Sequence, residues 1–185
     1  KLQTADFSAM KLGYGVKLNV MQSVVEASFQ HEGKPYTGYV YVGENGDETY
    51  FKRSSRTVMC DNDTQCYYLY EAVDDSEMIY DPILRTLKSG DDEYRFDSEG
   101  RLIRVTDKNG NHMDITYVSG RITSVTDGAG REFGFAYNSS GYLTSITAPD
   151  GTNVLYTYTG SRLGGITSPG GIQTAVNYLS GFPSE

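Results

Sequence analysis

The sequence predicts an all-β fold: stacked β-hairpin repeats of 20–21 residues forming a continuous twisted antiparallel sheet, preceded by a β cap. Three observations carry this. The stretch "GRLIRVTDKNGNHMDITY" (100–117) is followed at once by "GRITSVTDGAGREFGFAY" (120–137), so a unit recurs about every twenty residues. The residues leading to each recurring Tyr alternate apolar and polar, the period of a half-buried strand. Composition agrees, with 16 Tyr, 7 Phe and 21 Gly in 185 residues, as expected of strands joined by tight turns.

Residues 1–93 lack the period and read as the cap. "GYGVKLNVMQSVVEASFQ" (13–30) forms one long strand or two short ones, because Val24-Val25 is too short an apolar run for a helix. "YTGYVYVGENGDETYFKR" (36–53) is a hairpin: Tyr39 and Tyr41 alternate, Asn45-Gly46 turns, and Tyr50 and Phe51 return. "TVMCDNDTQCYYLY" (57–70) is a second hairpin with Cys60 and Cys66 at its end. "VDDSEMIYDP" (73–82) is a loop leading to a strand at Ile83 to Leu87. No Pro-, Ser- or Gly-rich linker follows, so the cap is expected to run directly into the array.

Residues 94–185 are the array, beginning in "EYRFDSEGRL" with Phe96 in the Tyr position. Leu102, Ile122, Leu143 and Leu163 each precede by three residues Val105, Val125, Ile146 or Ile166, and each of those is followed by Thr. Eight residues after the first position stands Gly110, Gly130, Gly151 or Gly171; seven later stands Tyr117, Tyr137, Tyr158 or Tyr178. Length varies only between the Tyr and the next Leu or Ile, so 118–121, 138–142 and 159–162 are expected to be loops. The segment before each Tyr is a strand with one face buried. The segment before each Gly has apolar residues three apart. It is too short for a helix, so it is a strand with a bulge or one apolar on both faces. "NG", "DG" and "GG" are hairpin dipeptides, so backbone geometry alone accounts for the glycines. A single hairpin cannot bury its apolar face, whereas stacked copies can.

These residues resemble the RHS/YD repeat. The resemblance rests on "FDSEGRL", "YNSSGYL", "TDGAGREFGFAY" and "APDGTNVLYTY", in register four times over residues 94–185. Upstream, "MKLGYGVKLNV" followed by "DETYF" resembles the segment preceding such repeats in large surface proteins of Gram-positive bacteria. Phe96 is followed by Asp97, but Tyr117, Tyr137 and Tyr158 are followed by Val, Asn and Thr. The resemblance implies a β-sheet wound into a hollow shell, as in polymorphic toxins, insecticidal toxin complexes and teneurins. This chain would supply the start of the wall in a bacterial extracellular or cell-surface protein. Its partners would be further repeats of its own longer chain, with an encapsulated C-terminal segment or a cell-surface glycan.

The charge of −8 argues against a nucleic-acid partner, whose phosphate backbone needs a basic face. No apolar run spans a bilayer, so no membrane insertion is expected. "KLQTADFSAM" shows neither signal peptide nor initiator Met, which leads us to expect a piece of a longer protein. No enzyme, metal or cofactor site is expected. The pairs Asp74-Asp75 and Asp91-Asp92 read as solvated loop acids, and His31 and His112 as surface histidines beside turns. "GAGREFG" lacks the Lys-Ser/Thr of a phosphate loop. "DNDTQ", "GENGDE" and "SGDDE" lack EF-hand spacing. Two readings remain for the tyrosines: a structural core, or a row of stacking platforms for carbohydrate in a surface adhesin. Their period-2 match with Met113, Ile115, Phe133 and Phe135 favours the core.

Cys60 and Cys66 are too few for a zinc site without a nearby His and too far apart for a thioredoxin-like pair. A disulfide across the hairpin would fit an oxidising setting and contribute roughly 2 kcal/mol on a loop-entropy basis; the alternative is two free thiols. Protein purified without reductant is expected to show no alkylatable thiol by intact mass, and two labelled cysteines would contradict the bond.

Overall fold

The structure, a computed structural model, describes residues 5–13, 16–60, 66–74 and 76–178, with the backbone alone for 56–60. Among these, fifteen strands follow one another in a single antiparallel meander, each hydrogen-bonded to its sequence neighbour. The cap contributes β1 (Ser23–His31), β2 (Lys34–Val42), β3 (Glu48–Cys60), β4 (Cys66–Ala72), β5 (Ile79–Asp81) and β6 (Thr86–Ser89). The array continues with β7 (Asp92–Phe96), β8 (Leu102–Thr106), β9 (His112–Val118), β10 (Arg121–Asp127) and β11 (Glu132–Tyr137). It ends with β12 (Leu143–Thr147), β13 (Asn153–Thr159), β14 (Arg162–Thr167) and β15 (Gln173–Ala175). The expected boundary between 93 and 94 falls inside β7, and the sheet crosses it without a break.

The apolar pairs three residues apart resolve into a bulge. Phe96 pairs with Leu102, but the next pair is Arg95 with Arg104, so Ile103 is extra. The same shift leaves out Thr123 beside Tyr117–Ile122, Thr144 beside Tyr137–Leu143 and Gly164 beside Tyr158–Leu163. In a regular strand, residues three apart face opposite sides. One extra residue restores them to the same side, and each Leu or Ile can enter the core with its following Val or Ile. Leu102, Ile122 and Leu143 are fully buried, and Leu163 nearly so.

The turns share a second device. At Asp107–Gly110 the Gly N–H donates to the Asp carbonyl, and the Asp N–H donates to the Asn111 carbonyl. Asp127–Gly130, Ala148–Gly151 and Ser168–Gly171 repeat this pattern. Only the final Gly has positive φ, between 78° and 83°; the residue before it does not. These are three-residue hairpin connections, a type I turn closed by a left-handed Gly, rather than two-residue turns centred on the dipeptide.

Of the length-variable gaps, 138–142 is the connection between β11 and β12 as expected, while the other two are shorter than the spacing predicts. β9 runs to Val118 and β10 starts at Arg121, leaving only Ser119 (φ 51°) and Gly120 (φ 76°) as a two-residue turn. Gly160 and Ser161 make the corresponding turn between β13 and β14. Asn138–Gly141 uses the three-residue form. The one-residue variation in repeat length is therefore a change of turn type.

Two expectations in the cap are corrected. Of the strand placed at Ile83 to Leu87, Thr86 and Leu87 begin β6, but residues 82–85 are a turn, and the loop expected over 73–82 contains β5. Asp81 Oδ1 accepts the N–H groups of Ile83 and Leu84, both at 2.9 Å, and Arg85 is left-handed at φ 54°. Among the described residues of "GYGVKLNVMQSVVEASFQ", strand begins at Ser23; residues 16–22 are not strand.

Residues 5–13 and 16–22 cross the sheet as a strap. Lys11 N–H donates to Gly141 O and Lys11 O accepts from Leu143 N–H, both at 2.9 Å. Arg121 Nε donates to Ala9 O at 2.8 Å. Met10 and Leu12 enter the core beside Ile122 and Leu143. The strap then approaches the β2–β3 turn, where Lys17 Nζ donates to Gly43 O. The chain joins β1, whose first residues pair with the β7–β8 turn: Val24 N–H to Gly100 O and Leu102 N–H to Gln22 O. The sheet thus curls back toward its own start. One core continues from Phe51, Tyr80 and Leu87 through Phe96 and Leu102 to Ile122 and Leu143.

Two rows of glycine follow from this arrangement. A Cβ on Gly110, Gly130, Gly151 or Gly171 would meet nothing within 4 Å. A Cβ on Gly100 would lie 2.1 Å from Val24 O, and on Gly120 3.1 Å from Ala9 Cβ. Gly130→Ala is expected to cost about 1–2 kcal/mol from the left-handed backbone alone. Gly100→Ala, with the same backbone penalty and the Val24 clash, is expected to lower the denaturant midpoint clearly further. Equal losses would show that β1 does not press on this turn.

Candidate functional site

The face that could carry function is the one where the repeat tyrosines stand. Alternation along β9, β11 and β13 points Tyr117, Tyr137 and Tyr158 to the core side, with Tyr178 equivalent just beyond β15. Each is half-buried. The bulged strands bring a second residue over each ring. Arg101 lies 4.8 Å from the Tyr117 ring centroid, Arg121 5.7 Å from Tyr137 and Arg162 5.2 Å from Tyr178. The third position holds Tyr142, whose ring meets Tyr158 at 4.8 Å. Every pair is sixteen residues apart, because the residue before each Leu lies across from the Tyr of the same unit. A guanidinium over a ring is favourable while its charged end stays hydrated.

The phenols are neutral structural groups. Burial pushes the Tyr137 and Tyr158 hydroxyls up to about 12, and Tyr117 higher still. The Tyr137 hydroxyl donates to Ile122 O at 2.9 Å and touches Met10 Sδ. The hydroxyls of Tyr117, Tyr158 and Tyr178 are buried without a protein hydrogen-bond partner. Tyr117, Tyr137 and Tyr178 thus each carry an arginine over the ring, and Tyr158 carries Tyr142. Phe133, expected on the buried face, is exposed, since it sits near an outer turn.

At the turns, Asp127 Oδ1 accepts the N–H groups of Ala129 and Arg131, and its Oδ2 accepts Arg131 Nε at 2.7 Å. Asp107 does the same with Asn109 and Asn111. Asp97 and Asn138 repeat it at the opposite rim. The hydrogen bonds from Arg131 and from Asn111 hold the Asp127 and Asp107 carboxyls below the ordinary value. These acids serve the backbone as Asx turns.

The remaining candidates stay apart. Asp74 accepts the Ser76 N–H, and Asp75 lies outside the described residues. Asp91 lies in the β6–β7 turn and Asp92 begins β7. His31 ends β1 and His112 begins β9, with its Nε2 3.9 Å from Asp114. Among the described residues no three His, Cys, Asp or Glu side chains gather to hold a metal. No helix among them is long and apolar enough to cross a membrane. β3 and β4 pair Cys60 with Cys66 in register, and Cys66 is disulfide-bonded. "DNDTQ" lies outside the described residues.

Tyr80-Asp81 is a repeat-like pair that the spacing missed. Tyr80 pairs with Leu87 as Phe96 pairs with Leu102, and both are buried. The Tyr-Asp dipeptide itself was the available signal, obscured because Leu87 follows at seven residues rather than six.

Residues 117–152 match the family model of the RHS repeat. The match begins at Tyr117, takes in the β10–β11 hairpin and β12, and ends in the turn before β13. No curated protein matches the chain.

Raised phenol pKa values set a sign for pH dependence. The folded values of Tyr137 and Tyr158 lie above the ordinary 10.0. The stability these residues contribute is whole below pH 10 and is lost as pH climbs through about 12. Tyrosinate absorbance is expected to rise in that window together with loss of β circular dichroism. A full phenol titration near 10 with the sheet intact would contradict their burial.

Proposed function

We propose that this chain, an RHS-repeat module, is a non-enzymatic structural element: the beginning of an RHS/YD-type β-shell wall in a large secreted or cell-surface bacterial protein. The observation that carries this is the continuous meander with a one-sided core. Each hairpin buries its Leu and Tyr only against its neighbours and the strap, so adding a repeat extends the wall. In that role the side of β15 away from β14, which no other strand among the described residues pairs with, receives the next repeat. Its short length and the 72% exposure of Ile172 support an edge meant to be covered. Such a wall could enclose a C-terminal toxin segment of a longer chain.

The competing reading is an adhesin that binds glycans through the tyrosine rows. Half-burial of the rings and the arginines over them support the scaffold instead. Leu143→Ala is expected to cost about 2–5 kcal/mol in chemical denaturation, the loss typical of a fully buried Leu. A panel of glycans is expected to show no saturable binding that depends on Tyr137 or Tyr158. A Tyr158→Ala chain that kept its stability and lost such binding would overturn the scaffold reading.

A further inference from the structure

The strap meets successive repeats at a fixed step. Ala9 contacts the second repeat through Arg121, Lys11 the third through Gly141 and Leu143, and Gly13 the fourth, where an added Cβ would lie 2.7 Å from Leu163 N. Two strap residues therefore advance for each repeat. A strap built this way could slide by two residues onto the next repeat and keep its backbone hydrogen bonds. Something must choose the register.

The residue just before each buried Leu or Ile is Arg101, Arg121, Tyr142 and Arg162. Tyr142 is the departure. Lys11 Nζ lies 5.4 Å from the centroid of its ring. The three arginines each cover their own repeat's tyrosine, while the third rung takes its cation from the strap. A slide of two residues either way would set Lys11 against Arg121 or Arg162, cation on cation. The slide toward Arg162 would also bring the Lys11 side chain to the place where Gly13 clears Leu163; in the opposite slide Gly15 takes that place, and the charge of Arg121 alone opposes it.

We infer that Tyr142 is the specificity-determining residue of an intramolecular docking surface. It selects the third repeat for Lys11 and so fixes where the N-terminal strap lies. Ala9 supports this by offering a carbonyl, not a cation, to Arg121. Asp6 adds to the pattern: its carboxyl is held low first by Ser8 and, more weakly, by the charge of Arg101. Acid, carbonyl and cation thus follow along the strap in the order that Arg101, Arg121 and Tyr142 call for. The attraction alone is modest, since Lys11 is exposed; the rejected registers supply the rest.

Hydrogen exchange on the full chain tests this through the Lys11 amide, which donates to Gly141 O. Tyr142→Arg makes the third repeat match the other three. It is expected to lower Lys11 protection roughly two- to fivefold, the range of an exposed cation–aromatic contact. Amides of the β13–β14 pair should keep their protection. Adding Lys11→Glu to Tyr142→Arg should restore it through a new ion pair. Lys11→Met, at an exposed side chain, tests the same contact without disturbing the repeat and should show a similar loss. Unchanged protection in Lys11→Met, or no recovery in the double variant, would overturn the assignment.

Discussion

The structure depends on one extra residue beside each buried Leu or Ile. Without the bulge at Ile103, Thr123, Thr144 and Gly164, Val105, Val125, Ile146 and Ile166 would turn to solvent and each repeat would lose part of its core. With it, the bulged strand gives two apolar side chains to one face and the following strand gives its Tyr. Bulges also add right-handed twist. A twisted sheet curls, and the strands from β1 to β8, with a further register shift between β3 and β4, curl far enough for β1 to hydrogen-bond the β7–β8 turn. The core is continuous because the same local irregularity recurs.

Curling has a consequence at the rim. The connections at one end of the hairpins face open space, and there glycine answers only to turn geometry. At the other end Gly100, Gly120 and Gly141 lie against β1 and the strap, so the same residue type also answers to close approach. The strap carries Met10 and Leu12 into the row made by Ile122 and Leu143, covering apolar surface that the cap does not reach. Lys17 fastens it to the β2–β3 turn. Cap, strap and repeats share one core, and the division at residue 93 leaves no mark in the sheet.

The tyrosine rows show how a repeat can be regular in place and irregular in chemistry. Arg101, Arg121 and Arg162 shield the rings of their own units, while Tyr142 stacks on Tyr158 and leaves a ring face for Lys11. A departure from the repeat at one exposed rung costs the core little, because Leu143 beside it is still fully buried. It changes what can bind at that rung.

Much of this was legible in the residues. The spacing of Leu, Gly and Tyr determined the strand pairs and the turn glycines, because both devices act over a few neighbouring residues. Alternation before Tyr117, Tyr137 and Tyr158 determined which side they face. The apolar pairs three apart left two readings, and only the observed pairing chose the bulge, since a bulge is defined by the partner strand. The turn at Pro82–Arg85 was hidden because Ile83 and Leu84 look like strand residues. What outweighs their propensity is the Asp81 carboxylate bonding the two N–H groups that follow. The strap's position was not legible at all. Residues 9–13 carry no signal for repeats more than a hundred residues away; their place follows from the curl of the whole sheet, which brings Tyr142 and Leu163 within reach of Lys11 and Gly13. Local geometry was written in the sequence, and the long-range contacts were decided only when fifteen strands had folded around one core.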